Sequence, residues 1–147
     1  NSLNSIQKYI WENKEEDAAE YLATFAKLMR GILENSRKEY ILLKDEMELM
    51  KLYVDLEHRR SNNSFDYRIH VDKELLNMQA IIPPLIMQPF IENAIWHGLN
   101  NKTEKGNLLI DVQWRENNIE GIIEDDGNGR AFKIENANKQ QKSVGND

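Results

Sequence analysis

An α+β fold, helical up to about residue 60 and mixed beyond it, is what this sequence predicts. Three observations carry that expectation. Apolar residues recur at helical spacing through the first part of the chain, a period-two alternation sets in at Phe65, and the polar break Ser61-Asn62-Asn63-Ser64 separates the two regimes.

Taken in order, Leu3, Ile6 and Ile10 mark a first short helix, which stops at the charged stretch Glu12 to Asp17. A second helix follows on Ala18, Tyr21, Leu22, Phe25, Leu28, Met29, Ile32 and Leu33, with Asp17 as its expected cap. The third, spanning roughly 41 to 59, carries apolar groups around much of its circumference: Leu42, Leu43, Met47, Leu49, Met50, Leu52, Tyr53, Val54 and Leu56. So wide a face needs more than one neighbour. Either the chain's own core covers it, or a second copy does, and a homodimer is the reading favoured at this point. Phe65, Tyr67, Ile69 and Val71 then alternate with polar residues as a half-buried strand. Pro83-Pro84 stiffens the entry to a helix expected from Leu85 to about Leu99, closed by Gly98 and Asn100-Asn101. Leu108 to Trp114 and Ile119 to Ile123 alternate as a hairpin across Glu116-Asn117-Asn118. From Gly127 to Asp147 apolar anchors are few, and a loosely packed segment is expected.

With 147 residues the chain fits one domain, or one domain with a helical extension, and a core is available. A net charge of −6 argues against a nucleic-acid footprint, because phosphate backbones select a basic face. No apolar run is long enough to cross a bilayer. The absence of cysteine excludes disulfides and thiolate chemistry. The chain opens at Asn1 in helical sequence and closes at Asp147 without a final element, so it reads as a piece of a longer protein.

Chemistry concentrates in Gln88-Pro89-Phe90-Ile91-Glu92-Asn93-Ala94-Ile95-Trp96-His97-Gly98 and in Asp125-Asp126-Gly127-Asn128-Gly129. At about 100° per residue, Asn93 shares a face with Pro89 and His97, while Met87, Ile91 and Ile95 point the other way. An Asn carbonyl is a hard neutral oxygen suited to Mg²⁺ whose other ligands are water and phosphate. His97 could donate to the same phosphates. The plainer account of Asn93 and His97 is the polar side of an amphipathic helix. Asp125 closes a strand where Gly127 and Gly129 permit close approach of a flat ligand, and its carboxylate could accept from the exocyclic amine of adenine. The plainer account there is an ordinary loop turn.

In this order the two segments resemble the N box and first glycine box of the GHKL ATPase superfamily, and specifically of LytS-type sensor histidine kinases. Asn1-Ser2-Leu3-Asn4-Ser5-Ile6 is similar to the stretch that follows the phosphoacceptor motif in that family. Leu28-Met29-Arg30 resembles its Leu-Leu-Arg signature. Leu43 with Asp45-Glu46-Met47, and Tyr53 to Arg60, resemble its second long helix, and Ile82-Pro83-Pro84-Leu85 with Gln88-Pro89 resembles the lead into the N box.

The resemblance implies a helical dimerisation and phosphotransfer segment over 1–60 and a partial Bergerat-type ATP-binding α/β sandwich over 61–147. It implies ATP and Mg²⁺ as cofactors, with Asn93 on the metal and Asn93, His97, Asp125, Gly127, Gly129 and Gly145 on the nucleotide. Glu92 would polarise the attacking group or orient a metal-bound water, with a plain surface acid as its alternative. Residues 130 to 144 would form a lid, and Lys133, Lys139 and Lys142 would contact phosphate or remain a solvated basic patch. The phosphoacceptor His would precede Asn1, since His58, His70 and His97 do not occupy its place. The second glycine-rich box is represented only by Ser143-Val144-Gly145. The implied protein is a homodimeric, membrane-anchored sensor, of which this would be a cytoplasmic portion. It would pass phosphoryl from His to an Asp of a response regulator, touch the membrane only through segments outside this chain, and bind no nucleic acid. Two rivals stand beside it: a GHKL-type Ser kinase or ATPase, and a non-catalytic helical dimer scaffold with a degenerate nucleotide site.

Overall fold

The computed structural model describes residues 2–12, 14–99, 102–126 and 128–134. Along the chain run α1 (Ser2–Trp11), α2 (Glu15–Asn35), β1 (Ile41–Leu42), α3 (Leu43–Arg60), β2 (Phe65–Val71), α4 (Lys73–Asn77) and β3 (Ile81–Ile82). They are followed by α5 (Gln88–Asn93), a π-helical turn (Ala94–Leu99), β4 (Gly106–Arg115), β5 (Asn118–Asp125) and β6 (Asn128–Ile134). The fold is α+β. A four-stranded sheet in the order β2-β4-β5-β6 pairs β2 with β4 in parallel and the rest antiparallel, while β1 and β3 form a separate two-stranded ribbon.

The strand alternation decides which face is covered. Phe65, Leu108, Ile110, Val112, Ile119 and Ile123 are buried, whereas Asp66, Arg68, His70 and Ile122 on the opposite face are exposed. Burying side chains of this kind contributes roughly 1.5–3 kcal/mol each. Helices and sheet share one core, in which Tyr21 and Leu28 of α2 join Met47, Met50 and Val54 of α3, and Phe65 and Ile110 of the sheet. The broad apolar circumference of α3 is therefore largely used inside this chain, because α2, α4 and β2 all lie against it. Apolar exposure is greatest instead on α1 and α2, at Leu3, Ile10, Trp11, Leu22 and Leu33, with lesser exposure at Leu42, Leu76, Trp96 and Ile122.

Several boundaries differ from expectation, each for a local reason. Asp17 does not cap α2. It lies with Glu15 and Glu16 in the first turn, where acids favour the positive end of the helix dipole, and the capping position is Lys14 with no side-chain cap bond. The third helix begins at Leu43 rather than 41, since Ile41 and Leu42 pair with Ile82 and Ile81. The helix expected from Leu85 begins only at Gln88, because Leu85 sits at φ 61, outside helical space, and Pro89 is the proline in the first turn. Residues 128–134 are not a loose tail but the strand β6, held along β5 with Ile134 buried. The lid expected over 130–144 therefore cannot begin before 135, and its remainder lies outside the described residues.

The hairpin between β4 and β5 turns on Glu116 and Asn117, both at positive φ (51° and 63°), as a tight two-residue connection requires. Among the described residues no helix is long and apolar enough to cross a membrane.

Candidate functional site

The site is built around α5, whose facing is fixed from both ends. At its entry, the backbone N–H of Leu85 donates to Glu46 Oε2 of α3 at 3.3 Å. The Glu46 side chain is fully buried, and burial pushes its carboxyl above the ordinary value, with the Leu85 bond pulling the other way. Along α5, Met87, Ile91 and Ile95 face the core as their spacing predicts. Phe90 stacks on Phe132 of β6 with ring centroids 5.6 Å apart. That ring can lie there only because β5 offers Gly121 beneath it, where a Cβ would come within 2.1 Å of ring carbons. Pro89 and His97 are consequently exposed and Asn93 is half-buried. Past Asn93 the backbone widens to i→i+5 pairing, so the 100° projection that stacked His97 over Asn93 does not hold through the π-helical turn.

The π-helical turn delivers Gly98 directly onto the end of β5. A Cβ on Gly98 would stand 2.2 Å from Asp125 Oδ2 and 2.6 Å from its Cγ, so the carboxylate occupies the place a side chain would need. Asp125 has the same parity as Ile119 and Ile123, which turns it toward the helix-covered face. Its neighbour Asp126, at φ 44, fastens the corner: Oδ1 accepts from the Asn107 N–H at 2.9 Å and Oδ2 pairs with Lys102 at 2.7 Å. The Lys102 ammonium and the Asn107 bonds hold the Asp126 carboxyl below its ordinary range despite some desolvation.

Glu92 faces another neighbour. It accepts from Gln88 Nε2 at 2.9 Å, and its charge reaches Tyr53 of α3. The Tyr53 phenol is pushed well up, chiefly by burial and then by Glu57, with Glu92 adding a smaller push, while its hydrogen bond with Trp96 acts in the opposite direction. The Arg60 guanidinium lies 4.5 Å over the Trp96 ring and is held by Glu57 Oε2 at 2.7 Å and 3.0 Å. The last turns of α3 thus grip the α5 segment at Trp96.

The structure accordingly brings the π-helical turn that carries His97, and that follows Glu92 and Asn93, onto the strand end carrying Asp125. Gly129 lies on β6 opposite Glu124, one pair beyond Asp125 and Asn128, and Lys133 is exposed on the same strand. Gly127, Gly145, Lys139 and Lys142 lie outside the described residues. Among those described, no group of three or more His, Asp or Glu side chains is placed to hold a metal by itself. A cleft lined by Asp66, Arg68, Asn107, Glu124 and Asp126 lies toward the other face of the sheet. Glu46 and the grip on Trp96 escaped sequence reading. For Glu46 a signal existed: an acid three residues from Leu43 and four from Met50 stands on the apolar side of its helix.

Gly98 pressed onto the Asp125 carboxylate fixes where that acceptor sits at the end of β5. The half-buried Asn93 offers a neutral oxygen on the same segment. An amide oxygen and a carboxylate are donor types that a magnesium-bound nucleotide can use.

Comparison with known proteins bears on the same reading. The family model described as histidine kinase matches residues 1–65. The chain is 33% identical over 119 residues to the sensor protein LytS of Oceanobacillus iheyensis, covering 81% of this chain and 20% of that protein. It is 27% identical over 129 residues to the sensor protein LytS of Staphylococcus epidermidis, covering 88% and 21%. It is also 28% identical over 130 residues to the sensor histidine kinase/phosphatase LytS of Staphylococcus aureus, covering 88% and 22%. The chain spans about a fifth of the length of the curated relatives it matches.

Proposed function

We propose, for a chain related to the LytS sensor histidine kinases over more than four fifths of its length, that it forms part of the ATP-dependent phosphotransfer machinery of a two-component system. In this reading residues 1–60 belong to the dimerisation and phosphotransfer region, and residues 61–147 to a Bergerat-type nucleotide-binding domain. The observation that carries it is the apposition of Gly98 to the Asp125 carboxylate, 2.2 Å from where a Cβ would be. It joins the α5 segment to the end of β5 in one place.

Each side chain then has a defined task. Asp125 accepts the exocyclic amine of adenine, and the Lys102–Asp126 corner keeps it in place. Asn93 gives its amide oxygen to magnesium, and His97, exposed one turn on, donates to phosphate oxygens. Glu92, oriented by Gln88, orients the attacking imidazole; Tyr53 and Trp96 set the surface beside it. Bound Mg-ATP supplies the phosphoryl group and neutralises its charge, and in such transfers most of the protein's work is positioning. The acceptor His lies before Asn1 in the sensor, and the phosphoryl passes on to an Asp of a response regulator. The exposed Leu3, Ile10, Trp11, Leu22 and Leu33 of α1 and α2 supply the homodimer surface, and the assembly hangs from a membrane segment elsewhere in the sensor.

Isothermal calorimetry of the full-length protein with Mg-ATP tests the assignment. Asn93→Ala and Asp125→Asn should each weaken binding by roughly ten- to a hundredfold while leaving the thermal transition in place. Retained affinity in both would remove the site, and no heat from the wild type would favour a helical scaffold without nucleotide chemistry.

A further inference from the structure

Glu46 is the one charged side chain buried among the described residues, at 0% exposure, and its placement is hard to explain by stability. Its Oε1 has no hydrogen-bond partner among them. A buried carboxyl with an oxygen left over is less stable than an apolar side chain of the same size, so the acid earns nothing from packing. What it does have is Leu85. A leucine at φ 61 sits in the left-handed region, which β-carbon crowding disfavours, and the N–H it exposes there is accepted by Glu46 Oε2 at 3.3 Å. Leu85 lies three residues before α5 begins, so its conformation sets the direction in which α5 leaves the Pro83-Pro84 segment. Glu46 belongs to the first turn of α3, whose later turns hold Trp96 through Arg60 and Tyr53. The α5 segment is thus held by α3 at both ends.

We propose that Glu46 is a positioning residue for the nucleotide site: its buried carboxyl holds Leu85 in the left-handed turn that sets the direction of α5, and so of Asn93 and of the π-helical turn whose Gly98 meets Asp125 at the end of β5. This rests on the nucleotide reading of that site. The bond it makes is to backbone, so its effect reaches the ligand only through the direction of α5.

The test compares two replacements in the full-length protein. Glu46→Gln keeps an oxygen that can accept the Leu85 N–H, and Glu46→Met fills the space but cannot accept. Three quantities are read: Mg-ATP affinity by calorimetry, amide hydrogen exchange over residues 85–93, and the thermal midpoint. Glu46→Gln should bind within about twofold of wild type, whereas Glu46→Met should bind about tenfold or more weakly, as expected for loss of one anchoring hydrogen bond. Exchange over 85–93 should quicken in Glu46→Met alone, with a thermal midpoint equal to or above wild type. In the double variant Glu46→Met/Leu85→Gly, glycine adopts the left-handed turn unaided, and affinity should recover in part. Wild-type exchange in Glu46→Met, a midpoint falling in step with affinity, or no recovery in the double variant would overturn the proposal. Quickened exchange in Glu46→Met beside a wild type that binds no Mg-ATP would keep the Leu85 clasp and sink the nucleotide reading.

Discussion

Replacing Gly98 with alanine tests the central contact most directly. The added methyl would fall 2.2 Å from Asp125 Oδ2, 2.6 Å from Cγ and 3.2 Å from Cβ. The nearest pair must separate by about 1 Å before it becomes a tolerable contact. Asp125 is short, so the carboxylate has to swing or the end of β5 has to shift. Overpacking of this kind costs about 1–3 kcal/mol, and alanine's better helix propensity returns up to about 1 kcal/mol of it. The net stability loss should therefore be small, about 0–2 kcal/mol by the same reckoning. Nucleotide affinity should fall further. On the proposed reading, a carboxylate displaced by about 1 Å loses its bond to the adenine amine; such a bond is worth about 1.5–3 kcal/mol, or roughly ten- to a hundredfold in Kd. Calorimetry with Mg-ATP and urea denaturation of the same variant separate the two effects. Because both changes act on one carboxylate, Gly98→Ala/Asp125→Asn should bind no more weakly than Asp125→Asn alone. Wild-type affinity in Gly98→Ala, or full additivity in the double variant, would show that Asp125 is not the group that reads the ligand.

Two further predictions concern pH. The Glu46 carboxyl is raised above its ordinary value of 4.5, so its contribution to stability is fully present below that pH and is lost as pH rises through the raised value. The stability advantage of Glu46→Gln over wild type should accordingly grow from acid toward neutral pH in urea titrations, and an advantage independent of pH would contradict the burial of an ionisable group there. Asp126 runs the opposite way: its carboxyl is held below its ordinary value of 3.8 by Lys102 and Asn107, so its contribution is present above that pH and is lost as pH falls through the lowered value. The deficit of Asp126→Ala should therefore narrow in acid; a constant deficit would mean that Lys102 does not pair with it in solution.

Much of the fold around the candidate site was legible in sequence because it obeys local rules. Met87, Ile91 and Ile95 bury the face that their spacing predicts, and Phe65 to Val71 alternate as drawn. The failures share one physical cause. Ile41-Leu42 and Ile81-Ile82 are too short to show a period and become strands only by pairing with each other. Asn128 to Ile134 has little apolar content and is a strand because β5 presents a partner edge. Leu85 looked helical, yet an acid 39 residues away accepts its N–H in a left-handed turn.

By itself the sequence determined the order of helices and main strands and the likeness to LytS sensor histidine kinases, since each depends on residue identity and short-range period. Tertiary structure alone decided that Gly98 rests on Asp125, that Phe90 reaches Phe132 over Gly121, and that α3 holds the α5 segment at Leu85 and Trp96. Those contacts join positions far apart in the chain, and their distances are set by how closely two backbones can approach, which no local pattern encodes.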